Sequence, residues 1–274
     1  VSLLLPGSVR AFDGHLFQPR PGETEFVSVR SSATLGHLGG QAGVFLDYAN
    51  SPVRLDTGPG KRDLSEHQTA GTLVGALGLG DSFQVGLRVP YLFDQSGEEK
   101  DWESSASSND LGDIELTGRY RLMGTGREGY GLAAEVSATF PTGSSDQWFG
   151  NNAFAFGGHL VLDRTWAKAR AALNVGYVFT DDEDLSPDQD VDDRLTFGLG
   201  GSYRVLPSLT LGVEVYGNTT SSDAFDDRLT PVEADGWLVY SVGPAQIVAG
   251  GGTGVTVGAG APDWRAFGGV RFGF

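Results

Sequence analysis

Apolar and polar residues alternate along most of this chain with a period of two, the repeat of a half-buried β-strand. From Ser82 to Leu92, Phe83, Val85, Leu87, Val89 and Tyr91 fall on one face, and Gln84, Gly86 and Arg88 on the other. From Asp113 to Leu122, Ile114, Leu116, Tyr120 and Leu122 alternate with Asp113, Glu115, Thr117, Arg119 and Arg121. The same alternation sets Leu173, Val175, Tyr177 and Phe179 against Arg170 and Asn174, and Leu199, Tyr203 and Val205 against Arg194 and Arg204. The last segment sets Trp264, Ala266, Val270, Phe272 and Phe274 against Arg265 and Arg271. Counting such segments predicts an all-β chain of about twelve antiparallel strands, within roughly 10 to 14. They lie near 41–50, 66–77, 82–92, 112–122, 130–140, 153–163, 169–180, 194–205, 209–217, 231–242, 245–257 and 264–274.

Periodicity does not say whether the apolar face meets a core or lipid. The connections do. Short ones (Gly78–Asp81, Met123–Gly129, Arg164–Lys168, Leu206–Ser208, Gly243–Ala245) alternate with long ones (Ala49–Ser65, Asp94–Leu111, Pro141–Asn152, Asp181–Asp193, Gly217–Pro231). Short periplasmic turns and long, here acidic, extracellular loops are the pattern of outer-membrane barrels. Aromatics gather near strand ends, and Phe83, Tyr91, Phe140, Tyr177, Phe179, Trp264, Phe272 and Phe274 are expected to form lipid-facing girdles. No apolar run is long enough for a membrane helix; the uncharged stretch from Gly236 to Pro262 carries eight glycines and two prolines, and splits into two strands at Gly243-Pro244. Residues 41–274 are thus read as a transmembrane barrel of the bacterial outer membrane. Residues 1–40 precede it as a periplasmic arm or a plug, and Phe26–Arg30 could add a short strand. The chain starts without Met or a signal pattern, as a mature or trimmed product would.

Composition narrows the function. The formal net charge is −16, which argues against nucleic acid. The absence of cysteine removes disulfides and thiolate chemistry. Glycine, 42 of 274 residues, is about twice average usage; on the lumen face it would make room for long side chains from opposite walls, and Gly250-Gly251-Gly252 would mark a bend or a close contact. The candidate interior charges are Arg88, Asp113, Glu115, Arg119, Arg121, Glu135, Arg170, Arg194, Arg204, Glu214, Glu233, Arg265 and Arg271. Their mixed signs favour a salt-bridged, largely closed lumen, with a narrow water channel as the competing reading.

The chemical motifs are weak. Gly124–Gly129 fits G-x-G-x-x-G, but a strand rather than a helix follows, so it reads as a turn. Asp188, Asp190 and Asp192 have the first spacings of a calcium loop but lack its glycine and its closing glutamate, leaving only a weak surface candidate for a metal. His159 and Asp163 share a strand face, yet no nucleophile can be assigned, so no enzyme activity, catalytic residue or cofactor is expected.

The segments PVRLD (52–56), DSFQVGLRVPYLFDQSG (81–97), LGDIELTGRYRL (111–122), FPTGSSDQWFGN (140–151) and APDWRAFGGVRF (261–272) resemble the N-terminal barrel of OmpA-family outer-membrane proteins of myxobacteria and predatory relatives. The resemblance implies a porin-like or structural barrel among outer-membrane lipids and lipopolysaccharide. It also implies contact with peptidoglycan through a domain not in this chain, and for some relatives a lipid-enclosing homo-oligomer. The expectation is therefore an outer-membrane barrel with an envelope-integrity or narrow-channel role. A soluble all-β binding module and a rim-active hydrolase are the alternatives.

Overall fold

Every residue of a lipid-facing strand must place its backbone hydrogen bonds on neighbouring strands, which only a closed sheet can do at both edges. The computed structural model shows that solution. It describes residues 14–56, 61–96, 109–124, 128–143, 149–151, 153–180, 193–221, 224–225, 230–258 and 260–274. The strands are β1 (Gly40–Asp56), β2 (Lys61–Gly78), β3 (Phe83–Ser96), β4 (Asp110–Leu111), β5 (Ile114–Met123), β6 (Gly129–Phe140), β7 (Ala155–Thr165), β8 (Ala169–Thr180), β9 (Arg194–Leu206), β10 (Leu209–Thr220), β11 (Val232–Val242), β12 (Ala245–Gly254) and β13 (Trp264–Gly273).

Each long strand pairs antiparallel with its sequence neighbour, and β1 pairs with β13 as well as β2, so twelve long strands close a barrel. The seam is completed by Gly40 and Phe274, whose amides and carbonyls exchange hydrogen bonds of 2.7 and 2.9 Å. The two-residue β4 continues the β5 side of the wall along β3. The regular β3–β5 ladder ends at Arg88–Glu115, just before Pro90, which has no N–H to donate; its carbonyl accepts from Gly112 instead.

The expected antiparallel barrel of about twelve strands is what the structure shows. Strand lengths differ from the expectation. The stretch read as a loop over 49–65 is mostly strand, because β1 and β2 extend to 17 and 18 residues with register shifts near Asn50 and Val53. Such lengths exceed the ~9–11 residues that cross a bilayer, so this hairpin projects beyond it. β3 likewise runs on to Ser96 and β10 to Thr220, where loops were expected.

The two faces separate sharply. In β7 every second residue from Ala155 to Asp163 is buried, while Phe156, Leu160 and Leu162 are exposed. The outer surface is apolar: Leu160 is 59% and Val213 64% exposed, with Leu46, Leu73, Leu116 and Leu199 similar. A continuous apolar exterior of this kind excludes the soluble binding module, which would have to bury these residues. The apolar cluster lies inside the barrel instead, where Phe17, Phe26, Val27 and Val29 of the segment preceding β1 pack on Phe45, Trp237, Val239, Val248 and Phe267 of the wall.

Candidate functional site

The lumen is where the chain collects its buried polar groups, and residues 14–39 run through it. Glu214 on β10 aims its carboxylate at three successive backbone amides of this arm, accepting from Val27, Ser28 and Val29 at 2.7, 2.8 and 3.1 Å. Asn174 on β8 accepts from the Arg30 amide and donates to the Arg30 carbonyl. Asp163 on β7 accepts from the Ser32 amide at 2.6 Å and the Ser32 hydroxyl at 3.0 Å. Arg271 on β13 donates to the carbonyls of Glu23 and Phe26. These bonds satisfy a backbone that forms no sheet of its own, which explains why a chain without secondary structure can be buried.

Glycines on the lumen face let the arm approach. A side chain at Gly200 would run into Phe26, and one at Gly86 into Pro21. The arm itself turns at Gly22, whose φ of +77° is in the left-handed region, against the Gln84 amide. These glycines thus accommodate the arm, where the sequence suggested room for side chains of opposite walls. Gly250 and Gly252 mark close contacts with Phe267 and Asp235, and the ladders on both sides of the triplet run without a register shift.

Ion pairs join arm and wall. Arg119 bridges Glu23 of the arm (2.5 Å) and Glu135 of β6 (2.7 Å), and Arg30 of the arm meets Glu135 at 2.5 Å. Glu115 receives both Arg20, at 3.1 Å, and Arg88, at 2.8 Å. Across the lumen, Arg265 links Asp47 (2.5 Å) and Glu233 (2.7 Å), and His15 lies 3.2 Å from Asp47.

Of the charges singled out in the sequence, Arg88, Asp113, Glu115, Arg119, Glu135, Arg170, Glu214, Glu233, Arg265 and Arg271 are buried. Arg194 is half-buried on the lumen side near the long loops. Arg121, half-buried, and Arg204, exposed, sit at the short-turn rim, reaching the Asp81 carbonyl and Glu25 respectively. Asp113 ties the β6–β7 connection inward by accepting from the amides of Gly143 and Asn151. On the outside, Phe83, Phe140, Phe179, Trp264, Phe272 and Phe274 are exposed, with Tyr91 and Tyr177 half-buried. Arg164 lies over the rings of Tyr130 and Trp166 at the short-turn end. Asp188, Asp190 and Asp192 lie outside the described residues. Asp163 is engaged by Ser32 and Arg170, and no hydrogen bond among the described residues joins it to His159. The G-x-G-x-x-G segment leads straight into β6, with Gly124 and Gly129 both at φ +86°.

The arm does not fill the lumen evenly. Between it and the wall of β5 to β10 lies a cavity of about 100 Å³, reaching Thr139, Arg194 and Asn218 at the long-loop end. Polar residues Ser137, Thr139, Asn174 and Thr196 form much of its wall, with Arg20, Arg30, Arg88 and Arg194 around it. The arm's anchoring residues carried no periodic signal in the sequence. Glu214 was legible only as one more inward carboxylate.

The fold has solved counterparts. An outer-membrane channel of Pseudomonas putida F1 is similar with a TM-score of 0.64 and 20% identity, over 91% of this chain and 100% of that one. The NanC porin is similar with a TM-score of 0.54 and 11% identity, over 86% and 98% of the two chains. The KdgM porin, solved in complex with disordered oligogalacturonate, is similar with a TM-score of 0.53 and 12% identity, over 85% and 99%. No curated protein matches the chain. The OmpA-family resemblance finds no support in these matches beyond the shared architecture of a bacterial outer-membrane barrel. A family model matches residues 61–261, more than half of the chain, and on that match the protein belongs to the family described as "Putative MetA-pathway of phenol degradation".

Proposed function

We propose that this protein is a passive, porin-like channel of the outer membrane, without covalent chemistry, whose lumen is narrowed by its own N-terminal arm. The observation that carries this reading is the off-centre polar cavity between the arm and the β5–β10 wall. Hydroxyl, amide and guanidinium groups there can replace the hydration of a small polar solute, which an apolar or fully packed lumen would not do. The family description points to aromatic breakdown, and the hydroxyl, amide and guanidinium groups of this wall suit the polar substituent of a small aromatic compound.

The test is single-channel recording of the full chain in a planar bilayer. Small, reproducible current steps are expected. Their absence would leave a closed barrel with a structural role in the envelope, the reading that the ion-paired arm favours. A lipid-enclosing homo-oligomer would use the outward Ile247, Ala249 and Gly251 of β12, a strip of mostly small residues. Lipid analysis of the detergent-extracted protein at its native mass decides that point, with a monomer free of stoichiometric lipid counting against it.

A further inference from the structure

We infer that the cavity contains a binding site for a small organic anion, a carboxylate carried on a compact apolar body. The inference deepens the channel reading by naming its solute class, and it rests on how the arginines around the cavity use their donors. Arg30 and Arg88 are both buried, at 5% and 4% exposure. Each commits only its Nε to a carboxylate, Arg30 to Glu135 at 2.5 Å and Arg88 to Glu115 at 2.8 Å. Their terminal nitrogens donate no hydrogen bond to the described residues, and both residues line the same cavity.

This is not the general habit of arginines in this lumen. Arg265 spends Nε and Nη2 on Glu233 and Nη1 on Asp47. Arg20 uses Nε on the Ser28 carbonyl, Nη1 on Glu115 and Nη2 on Gln18. Two buried guanidiniums with open forks beside one space are what an incoming carboxylate completes, because its two oxygens accept several charge-assisted bonds at once. Glu115 is shared between Arg20 and Arg88, and Glu135 between Arg30 and Arg119, which also holds Glu23; four guanidiniums thus face three carboxylates, and one positive charge is left over on this side. His159, lining the same cavity, holds a buried Nδ1 without a partner and adds a third polar contact.

The remaining wall defines the rest of the ligand. Leu16 and Val29 of the arm and Val178 of β8 face the cavity beside these donors. A bare inorganic anion would leave them against water, whereas a short aliphatic chain or a single ring would cover them.

The site is tested by calorimetry on the detergent-solubilised full chain, with benzoate, benzyl alcohol and inorganic phosphate as probes. Benzoate is expected to bind at least about tenfold more tightly than benzyl alcohol, the worth of charge-assisted bonds to guanidinium. It should also bind more tightly than phosphate. Arg88→Gln is expected to weaken benzoate about tenfold, and Arg164→Gln, on the outer surface, to leave it unchanged. Because Arg88 also neutralises Glu115, folding of the variant is checked by heat-modifiable gel mobility. His159→Phe serves as a second variant and should weaken benzoate by a smaller factor. Equal binding of benzoate and benzyl alcohol in the unaltered protein would overturn the site without any variant. Phosphate binding as tightly as benzoate would overturn the apolar part of it. Benzoate binding by a protein that passes no current would refute the channel and keep the site; current with no preference for benzoate would do the reverse.

Discussion

On the side of the lumen built by β1 and β10 to β13, the arm lies in dry contact: Phe17 packs on Phe267 with ring centres 4.6 Å apart, and Phe26 meets Trp237 edge-on at 6.2 Å. On the side built by β5 to β9, the same arm meets the wall through guanidinium–carboxylate pairs and leaves open space. Both sides come from the same alternating strands. The difference lies in how the inward positions are filled: rings and aliphatics with Arg265 and Arg271 closed onto carboxylates and arm carbonyls on one side, and arginines and hydroxyls around open space on the other. A barrel interior can therefore serve as a packed core along one flank and hold a polar cavity along the other, with a single strip of chain dividing them.

That division can be broken from either flank. The largest effect is expected from Arg265→Ala, which strands Glu233 as a buried carboxylate and leaves Asp47 only His15, and should cost about 3–5 kcal/mol, read as a lower urea midpoint for the folded barrel. Phe26→Ala empties the dry flank beside Trp237 and should cost about 3 kcal/mol in the same measurement. Glu214→Gln keeps the shape but removes the charge that holds three arm amides, at about 1.5–3 kcal/mol. Proteolysis within residues 20–36 should speed up while the barrel keeps its heat-modifiable mobility; an unchanged cleavage rate would show that the arm is held elsewhere.

The sharpest test changes stability least. The chain has no cysteine, so Val29→Cys with Gly198→Cys gives one unambiguous cross-link where a Cβ on Gly198 would stand 3.3 Å from Val29. If solute passes through the cavity beside a fixed arm, conductance should be the same oxidised and reduced. A current that appears only on reduction would mean that the arm must leave. Outside the barrel, Arg164→Ala removes a ring contact and should cost only about 0.5–1 kcal/mol.

The wall was readable in the sequence because a pleated strand repeats every two residues, so Leu116 and Arg119 announce opposite faces without any knowledge of their partners. The girdle aromatics and the short turns follow from the same repeat. The arm was not readable in detail. Residues 14–39 have no period, since their backbone is satisfied residue by residue, by Glu214 here, Asn174 there and Asp163 beyond. Nothing local distinguishes a carboxylate that binds a neighbour's arginine from one that caps a foreign stretch of main chain. The length of the β1–β2 hairpin was missed for a related reason. Its outer part, from Asn50 to Ser65, holds two prolines and two glycines among charged residues and breaks the alternation that marks the other strands.

The seam between Gly40 and Phe274 carries a consequence for the order of assembly. The first strand has no second partner until β13 arrives, and once they pair, the cylinder has no free edge. The arm lies upstream of that first strand and bonds to strands spread around the ring, from Arg119 on β5 to Arg271 on β13. Threading it in after closure would mean drawing a chain with buried guanidiniums and rings through a sealed tube. A wall that closes around an arm already in place avoids that step, and would let the arm serve as an internal mould for the sheet.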